Sequence, residues 1–326
     1  MRLVAHLADE GPAVGVLTAS GRVVDLKAGR GGLDLALAED SLPALLEEAA
    51  DVGRRVAADR GRRVAADPGA GIGRAGLAPL PAIEFPGKVI CVGLNYAEHV
   101  REGGRRGPDR PLLFAKFANA VIGDGEPIVR PEGTHALDLE VELGVVIGRR
   151  ARRVPAARAM AHVAGFVVVN DVSARDWQGI PAALREGEMG DGQWLRAKGS
   201  DTFLPVGPDF VTPEELDPST GLRIRSWRIP GAGPGAGEPV AMQDGSTADL
   251  IWPISELIEF ISRQLTLEPG DLIATGTPAG VGVYREPPVF LEPGDRARCQ
   301  VDGLGTVENP VVDWFDVRDE GDTGPA

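Results

Sequence analysis

The hydrophobic positions in the first part of the chain follow two patterns. Short apolar runs separated by glycine-containing turns predict strands at Arg2 to Leu7, Val14 to Leu17 and Val23 to Leu26. From Leu42 to Ala66, leucines and alanines recur at helical spacing, which predicts a helix. Asp67 to Pro86 is rich in Gly, Pro and Ala, as is typical of a linker. The pattern therefore predicts a small N-terminal domain with its linker over residues 1–80.

Beyond Lys88 the apolar runs are longer and continuous, which indicates strands buried on both faces. Thr212 to Leu216 has a capping-box pattern that predicts a helix start, and residues 254–265 predict an amphipathic helix. Strands outnumber helices without regular alternation, which favours an α+β, mainly β fold. Residues 84–316 are predicted to form the main domain and 317–326 a flexible tail. The runs that predict strands are KVICVGLNY (88–96), LEVELGVVIG (139–148), HVAGFVVVND (162–171), DLIATGT (271–277) and DRARCQV (295–301).

Charge and composition exclude several classes of partner. The chain has 34 Lys plus Arg against 48 Asp plus Glu, a formal net charge of −14, which disfavours nucleic acid and anionic lipid. It has neither the N-terminal pattern of a signal peptide nor an apolar run long enough to span a membrane, so a cytoplasmic location is expected. Cys91 and Cys299 lie in apolar runs and predict two buried thiols.

Three carboxylates near the centre of the chain predict a metal site. Asp138, Glu140 and Glu142 alternate along a predicted strand and therefore share one face. An edge strand with one solvated face would explain an isolated pair, but the strand continues as an apolar run. Buried like charges need compensation, which a hard divalent cation with oxygen ligands supplies. Asp171 follows the next strand, so Glu140, Glu142 and Asp171 predict a site for Mg²⁺.

Other polar residues suggest a catalytic role less strongly. His99 and Glu102 lie three apart in a predicted helical segment, where Glu102 could orient the imidazole as a general base. For His99 and Glu102, the alternative interpretation is an exposed helix pair. For Lys198, the alternative to a catalytic role is an ordinary solvated side chain. Gly276 and Thr277 offer a backbone N–H and a hydroxyl suited to a carboxylate, although an ordinary turn explains them as well.

Several motifs between about Lys88 and Asp313, taken together and in their order along the chain, resemble the fumarylacetoacetate hydrolase family. Within this family the resemblance is to acylpyruvases and 2-hydroxyhepta-2,4-diene-1,7-dioate isomerases. The resemblance implies a mixed β-sandwich roll with a small N-terminal α/β domain, a homodimer, and Mg²⁺ or Mn²⁺ as cofactor. The motifs are GLNYAEHVRE, PLLFAKF, DLEVELGVVIG, GFVVVNDVSARDWQ, AKGSDTFLPVGP and GDLIATGTPAGVG.

The resemblance also implies a role for each candidate residue. His99 and Glu102 match a water-activating dyad, and Lys198 matches a lysine that contacts the substrate. The metal ligands correspond to Glu140, Glu142 and Asp171. The substrate-side positions are Arg175, Gln178, Gly276 and Thr277.

The expected function is Mg²⁺-dependent hydrolysis of a carbon–carbon bond in an acylpyruvate-like 2,4-dioxo acid. The alternatives are decarboxylation of a β-oxo acid such as oxaloacetate, and hydration or isomerisation of a 2-oxo acid. A non-catalytic metal- or ligand-binding protein is the alternative of another class. Leu94 stands where some acylpyruvase-like relatives have Arg, which leaves the substrate open.

Overall fold

A computed structural model describes residues 1–18, 22–26, 29–38, 41–59, 72–104 and 106–316. Strands dominate these ranges, which confirms the α+β, mainly β fold class. The strands are β1 (Arg2–Ala8), β2 (Gly11–Leu17), β3 (Arg22–Asp25), β4 (Ile72–Gly73), β5 (Ala78–Pro79), β6 (Val89–Gly93), β7 (Leu112–Lys116), β8 (Val121–Ile122), β9 (Ile128–Arg130), β10 (Leu137–Asp138), β11 (Val141–Ile147), β12 (Val163–Asn170), β13 (Ser173–Ala174), β14 (Leu204–Pro205), β15 (Asp209–Val211), β16 (Arg223–Ile229), β17 (Val240–Ser246), β18 (Leu272–Ala274), β19 (Arg296–Val301) and β20 (Gly305–Asp313). The α-helices are α1 (Gly32–Ala38), α2 (Leu42–Asp59), α3 (Ala97–Glu102), α4 (Ala156–Ala159), α5 (Arg175–Gln178), α6 (Trp194–Gly199) and α7 (Ile254–Gln264).

The larger sheet of the described residues has the strand order β4-β3-β2-β1-β15-β12-β11-β18-β6-β7, with β5 paired to β1. Strands β11 and β12 pair antiparallel near its centre, whereas β18 and β6 run parallel. Every residue of β11 is buried. A strand covered on both faces is nearly continuous in apolar residues, which explains why this one was recognisable in the sequence.

A smaller sheet of order β17-β16-β19-β20-β9 packs against β11 and β12. Its inward side chains include Ile224, Cys299 and Val307, all buried in the same core as β11. Both Cys299 and Cys91 are free and buried, as predicted. The two packed sheets form the predicted mixed β-sandwich, and β11 lies in its interior.

The helices follow the sequence prediction only in part. Helix α7 buries Ile254, Leu257 and Ile261 at helical spacing, as predicted. Helix α2 begins at Leu42 as predicted, but the predicted part beyond residue 59 lies outside the described residues. Helix α1 was not predicted, because its seven residues give too few turns for a clear period.

The helix predicted from Thr212 is wrong. The chain makes a single turn there, in which the N–H groups of Glu215 and Leu216 both donate to the Thr212 carbonyl. The Thr212 hydroxyl accepts from the Met1 ammonium at 2.8 Å, so it is engaged outside the helix start. Pro218 then disfavours a helical conformation at Asp217, which ends the turn.

The N-terminal segment extends the larger sheet. Strand β1 pairs antiparallel with β15, and β5, from the predicted linker, pairs with β1. The division into domains at residue 80 stays a prediction. The predicted tail at 317–326 lies outside the described residues.

Candidate active site

The antiparallel pairing of β11 and β12 brings the predicted carboxylates together. Val141, at the start of β11, is opposite Asn170, at the end of β12. The flanking residues Glu140 and Asp171 are therefore neighbours, and the Asp171 N–H donates to the Glu140 carbonyl at 2.8 Å. Asn170 Oδ1 accepts from the Glu140 N–H at 2.9 Å. This pairing places Glu140, Glu142 and Asp171 at one end of the two central strands.

The three carboxylates form a compact buried cluster. Each of Glu140, Glu142 and Asp171 offers one oxygen, and these oxygens all lie within 4.8 Å of one another. Burial, followed by the charges of Asp171 and Glu140, raises the pKa of Glu142 well above its usual range. Burial would also raise the pKa of Glu140, but Arg175 and Lys198 outweigh it and lower that pKa. The cluster is thus compensated at Glu140 and uncompensated at Glu142.

Two buried cations that line the cavity contact the cluster. Lys198 Nζ donates to Glu140 Oε2 at 2.6 Å and to Asp171 Oδ2 at 2.8 Å. An Arg175 terminal nitrogen lies 2.6 Å from Glu140 Oε1, and another donates to Gln178 Oε1 at 3.1 Å. The solvated alternative for Lys198 is therefore wrong, since its side chain is only 2% exposed. Both cations are positioned by α5 and α6, which follow the carboxylates in the chain.

Asp138 does not share the face of Glu140 and Glu142, contrary to the sequence prediction. Strand β10 ends at Asp138 and β11 begins only at Val141, so the alternation is broken between them. Asp138 accepts instead from the backbone N–H groups of Gly282 and Val283 and from Arg175 Nε. Asp138 therefore holds Arg175 through Nε, whereas Glu140 contacts a terminal nitrogen of the same guanidinium.

His99 and Glu102 form a close pair on helix α3. His99 Nδ1 lies 2.6 Å from Glu102 Oε1, as their spacing of three residues predicts. The second oxygen of Glu102 accepts from the Gly280 N–H at 2.8 Å, which fixes the carboxylate to the body of the protein. His99 is 7% exposed, so the pair is not an ordinary solvated helix pair.

The turn after β18 supplies Gly276 and Thr277. The Gly276 N–H donates to Glu142 Oε2 at 2.8 Å. Its φ is +106°, and a Cβ there would lie 2.7 Å from the Asn95 Cβ, so the turn requires glycine. Thr277 Oγ1 donates to the Val141 carbonyl at 2.9 Å.

Sequence reasoning missed two buried residues of this network. Gln243 Nε2 donates to Thr277 Oγ1 at 2.6 Å, and its Oε1 accepts from the Val141 N–H at 3.0 Å. Lys116 Nζ lies 2.8 Å from Asp171 Oδ1. Burial lowers the pKa of Lys116, and Asp171 partly opposes that effect. A lysine inside an apolar strand was a signal for Lys116, whereas no sequence signal marked Gln243.

Most of the candidate residues line one cavity of about 60 Å³. Glu102, Gly276 and Asp171 lie behind its wall, each in contact with a lining residue. The apolar part of the wall comes from Val92, Leu94, Leu112, Phe114, Ile180 and Trp194. The polar part comes from His99, Glu140, Glu142, Arg175, Gln178, Lys198 and Thr277.

The donor set of the cluster fits a hard divalent cation. Carboxylate oxygens only accept hydrogen bonds, and nitrogen or sulfur ligands that would favour zinc are not part of this trio. Glu142 receives a backbone N–H and no Lys or Arg contact among the described residues. A cation bound by Glu140, Glu142 and Asp171 would supply the missing positive charge.

A second group with ligand-type atoms consists of His135, Asp176 and Glu188. The Asp176 oxygens accept from the Thr134 hydroxyl and from the backbone N–H groups of His135 and Trp177. Protein donors thus already satisfy this carboxylate, and His135 and Glu188 are partly open to solvent. The group does not fit a resident cation as well as the central cluster does.

Residues 88–312 match the family model described as fumarylacetoacetate (FAA) hydrolase C-terminal. The chain is 41% identical over 295 residues to a Bos taurus protein named oxaloacetate tautomerase FAHD2A, mitochondrial, covering 90% of this chain and 88% of that protein. It is 41% identical over 230 residues to a Dictyostelium discoideum fumarylacetoacetate hydrolase domain-containing protein 2 homolog, covering 69% and 72% of the two chains.

Solved structures with the same fold carry related names. A 5-carboxymethyl-2-hydroxymuconate delta-isomerase from Mycobacterium smegmatis has a TM-score of 0.68 and 34% identity, covering 96% of this chain and 100% of that one. A fumarylacetoacetate hydrolase from Exiguobacterium antarcticum has a TM-score of 0.72 and 29% identity, covering 96% and 99%. These matches confirm the predicted fold.

None of the helices in the described part of the chain is long and apolar enough to cross a membrane. The bovine relative is named as a mitochondrial protein, whereas the sequence favoured a cytoplasmic location. The location and the homodimer both stay predictions.

Proposed function

The chain belongs to the fumarylacetoacetate hydrolase family, and we propose that it catalyses keto–enol tautomerisation of a small 2-oxo acid of the oxaloacetate class. The observation that carries the proposal is the His99–Glu102 pair, at 2.6 Å, beside the same cavity as the buried carboxylate cluster. Enolisation requires a base next to a centre that stabilises negative charge. This proposal corresponds to the isomerase alternative of the sequence analysis rather than to carbon–carbon hydrolysis.

Tautomerisation moves one proton between C3 of the 2-oxo acid and the oxygen at C2. In the enol-forming direction a base removes the C3 proton, the C–H electron pair forms a C2–C3 double bond, and the C2 oxygen takes up a proton. The reverse direction returns a proton to C3. No bond between carbon atoms breaks, so the reaction needs neither a co-reactant nor an attacking water.

His99 has the geometry of the proton carrier. Its Nδ1 lies 2.6 Å from Glu102 Oε1, and an Nδ1–H that donates to this carboxylate would leave Nε2 as the nitrogen that accepts a proton. The Gly280 N–H holds the second oxygen of Glu102, which keeps the ring oriented. A proton taken from C3 would reside on Nε2, and Glu102 would stabilise the resulting imidazolium.

The cationic side of the cavity would hold the substrate oxygens. Lys198 is placed to contact the oxygen that becomes negative, and Arg175 and Gln178 to contact a carboxylate. Glu140, Glu142 and Asp171 would hold the divalent cation, for which we propose Mg²⁺ or Mn²⁺. When bound, that cation supplies Lewis-acid stabilisation of the enolate charge.

Hydrolysis of a 2,4-dioxo acid remains the second candidate, because the same dyad could activate a water and the Exiguobacterium structure is named a hydrolase. The higher identity, over nine-tenths of this chain, is to a protein named a tautomerase, which favours tautomerisation. Decarboxylation of oxaloacetate requires the same enolate stabilisation and differs by releasing carbon dioxide. A non-catalytic binding protein would lack all three activities.

One set of assays separates these candidates. Purified protein with Mg²⁺ or Mn²⁺ is mixed with enol-oxaloacetate, and malate dehydrogenase reports the keto form while lactate dehydrogenase reports pyruvate. A tautomerase accelerates the first signal only, and a decarboxylase also produces pyruvate. Cleavage of acetylpyruvate with no effect on oxaloacetate would establish hydrolysis instead. If none of these rates exceeds the rate with the metal alone, the proposed function is wrong.

A further inference from the structure

Lys116 is a fully buried ammonium outside the cavity wall. It lies at the end of β7, and its side chain is 0% exposed. Its Nζ lies 2.8 Å from Asp171 Oδ1 and donates to the carbonyls of Val172 at 3.0 Å and Phe203 at 2.7 Å. It also donates to the carbonyl of Lys198. A buried charge with this many oxygen partners has one fixed position.

Two lysines divide the oxygens of Asp171 between them. Lys116 Nζ forms an ion pair with Oδ1 at 2.8 Å, while Lys198 Nζ donates to Oδ2 at 2.8 Å. Lys198 Nζ also contacts Glu140 Oε2 at 2.6 Å and lines the cavity, whereas Lys116 does not line it. The Oδ1 contact therefore fixes the rotation of the carboxylate and leaves Oδ2 facing Glu140.

The same ammonium fixes the element that carries the second lysine. Helix α6 ends at Gly199, and the Lys198 carbonyl, in its last turn, receives its bond from Lys116. The Val172 carbonyl, one residue after Asp171, is held as well. Lys116 thus joins the backbone beside Asp171 to the backbone of Lys198, two segments that are distant in the chain.

We infer that Lys116 is a positioning residue of the active site, which sets the Asp171 carboxylate and the Lys198 side chain relative to each other. The inference rests on the proposed role of Asp171 as a cation ligand. In this role Lys116 touches neither substrate nor cation. Outer partners of metal ligands typically change metal affinity by roughly 10- to 100-fold when they are removed.

Charge and positioning predict opposite effects on metal binding. Removing a positive charge next to the cluster would by Coulomb attraction alone strengthen the binding of a divalent cation. Loss of orientation at Asp171 would weaken it, because Oδ1 could then turn toward the other carboxylates. The direction of the change in metal affinity therefore separates the two.

The test compares Lys116→Met and Lys116→Gln with Lys88→Met as the matched control. Lys88 Nζ lies 2.7 Å from the buried Asp271 Oδ2 and is outside the cavity wall, so Lys88→Met removes a lysine–aspartate ion pair elsewhere in the protein, one whose lysine side chain is 36% exposed. Mn²⁺ affinity is measured by calorimetry, kcat and KM with oxaloacetate by the coupled assay, and folding by circular dichroism and thermal melting.

We expect the Mn²⁺ dissociation constant of Lys116→Met to rise at least about 10-fold and kcat to fall by about as much. Lys116→Gln, which keeps N–H donors but no charge, should show a smaller change in the same direction. Lys88→Met should stay within about twofold of the wild type. Unchanged or tighter Mn²⁺ binding in either folded Lys116 variant overturns the inference. So does failure of both variants to fold, because Lys116 would then serve stability.

The metal measurement also separates this inference from the proposed function. A wild type that binds Mn²⁺ but does not act on oxaloacetate disproves the proposed function, while the affinities of the variants still decide the role of Lys116. A wild type that binds no Mn²⁺ overturns this inference too.

Discussion

At the scale of single residues, the dyad gives the sharpest expectation. Glu102→Gln should lower kcat for tautomerisation by about 10²- to 10⁴-fold, because a neutral amide no longer orients and stabilises the His99 ring. Mn²⁺ affinity should remain within about twofold, since Glu102 is not a member of the carboxylate cluster. The coupled assay measures kcat, and calorimetry measures the Mn²⁺ affinity.

Glu98→Gln is the matched control for this change. Glu98 lies on the same helix and pairs with Arg101 at the same spacing of three residues, but both side chains are exposed. Its loss should leave kcat unchanged, because exposed pairs of this kind contribute little. Full activity of Glu102→Gln would mean that His99 does not depend on this carboxylate.

The pKa of Glu142 makes metal binding depend on pH. Burial and its acidic neighbours raise that pKa in the cation-free protein, so a proton must leave before the carboxylate can bind a cation. Affinity for Mn²⁺ should therefore increase as the pH rises through the raised pKa, with release of a proton. Calorimetry in buffers of different ionisation enthalpy measures that release, and Glu142→Gln should abolish it. Affinity that is independent of pH would contradict the prediction.

The residues recognised from sequence share one property. Glu140, Glu142 and Asp171 lie at the ends of apolar strands, where a carboxylate conflicts with its surroundings and can be noticed. Asp138 was misplaced because the two-residue break before Val141 ends the alternation, and no local signal marks that break. Gln243 reaches the site from the other sheet, so its role depends on packing that one strand's pattern does not contain.

At the scale of elements, the turn after β18 controls the cluster. Gly276→Ala would place a Cβ 2.7 Å from the Asn95 Cβ and impose a φ of +106° on alanine. The turn must then shift, and its N–H would leave Glu142. We expect a stability loss of about 1–3 kcal/mol and weaker Mn²⁺ binding, measured by denaturant unfolding and calorimetry.

Gly270→Ala separates backbone strain from the loss of this contact. Gly270 also has a positive φ of +85°, but a Cβ there meets nothing within 4 Å. Its replacement should lower stability while leaving the Mn²⁺ affinity of the folded protein unchanged. Equal effects of the two variants on metal binding would show that the Gly276 contact is not specific.

Elements were predictable where burial leaves a clear pattern of apolar residues, which is continuous in β11 and periodic in α7. Strand β11 and helix α7 have such patterns and were found at nearly their observed bounds. Thr212 to Leu216 had the right residue types for a helix start, but the Met1 ammonium takes the Thr212 hydroxyl and Pro218 ends the turn. The local sequence pattern does not predict the conformation of such segments, because groups distant in the sequence determine it.

At the scale of the whole molecule, the cluster connects metal binding to stability. The pKa of Glu142 is raised in the folded state, so its contribution to stability is present below the ordinary pKa of a glutamate. That contribution is lost as the pH rises from the ordinary value to the raised one, because over this range the unfolded chain has released a proton that the folded state still holds. The cation-free protein should therefore become less stable over that pH range.

A bound cation should reverse this loss. A ligand that binds only the folded state stabilises it by about 2.7 kcal/mol at a free concentration of a hundred times Kd. Mn²⁺ or Mg²⁺ should thus raise Tm most strongly above the raised pKa of Glu142, where the carboxylate is ionised and otherwise uncompensated. Thermal melts with the divalent salt are compared with melts in KCl of equal ionic strength. The Tm of Glu142→Gln should depend less on pH without metal and should rise less with Mn²⁺, because the substitution removes both the buried charge and one ligand. If divalent and monovalent salts shift Tm equally in the wild type, the buried carboxylates do not form a cation site.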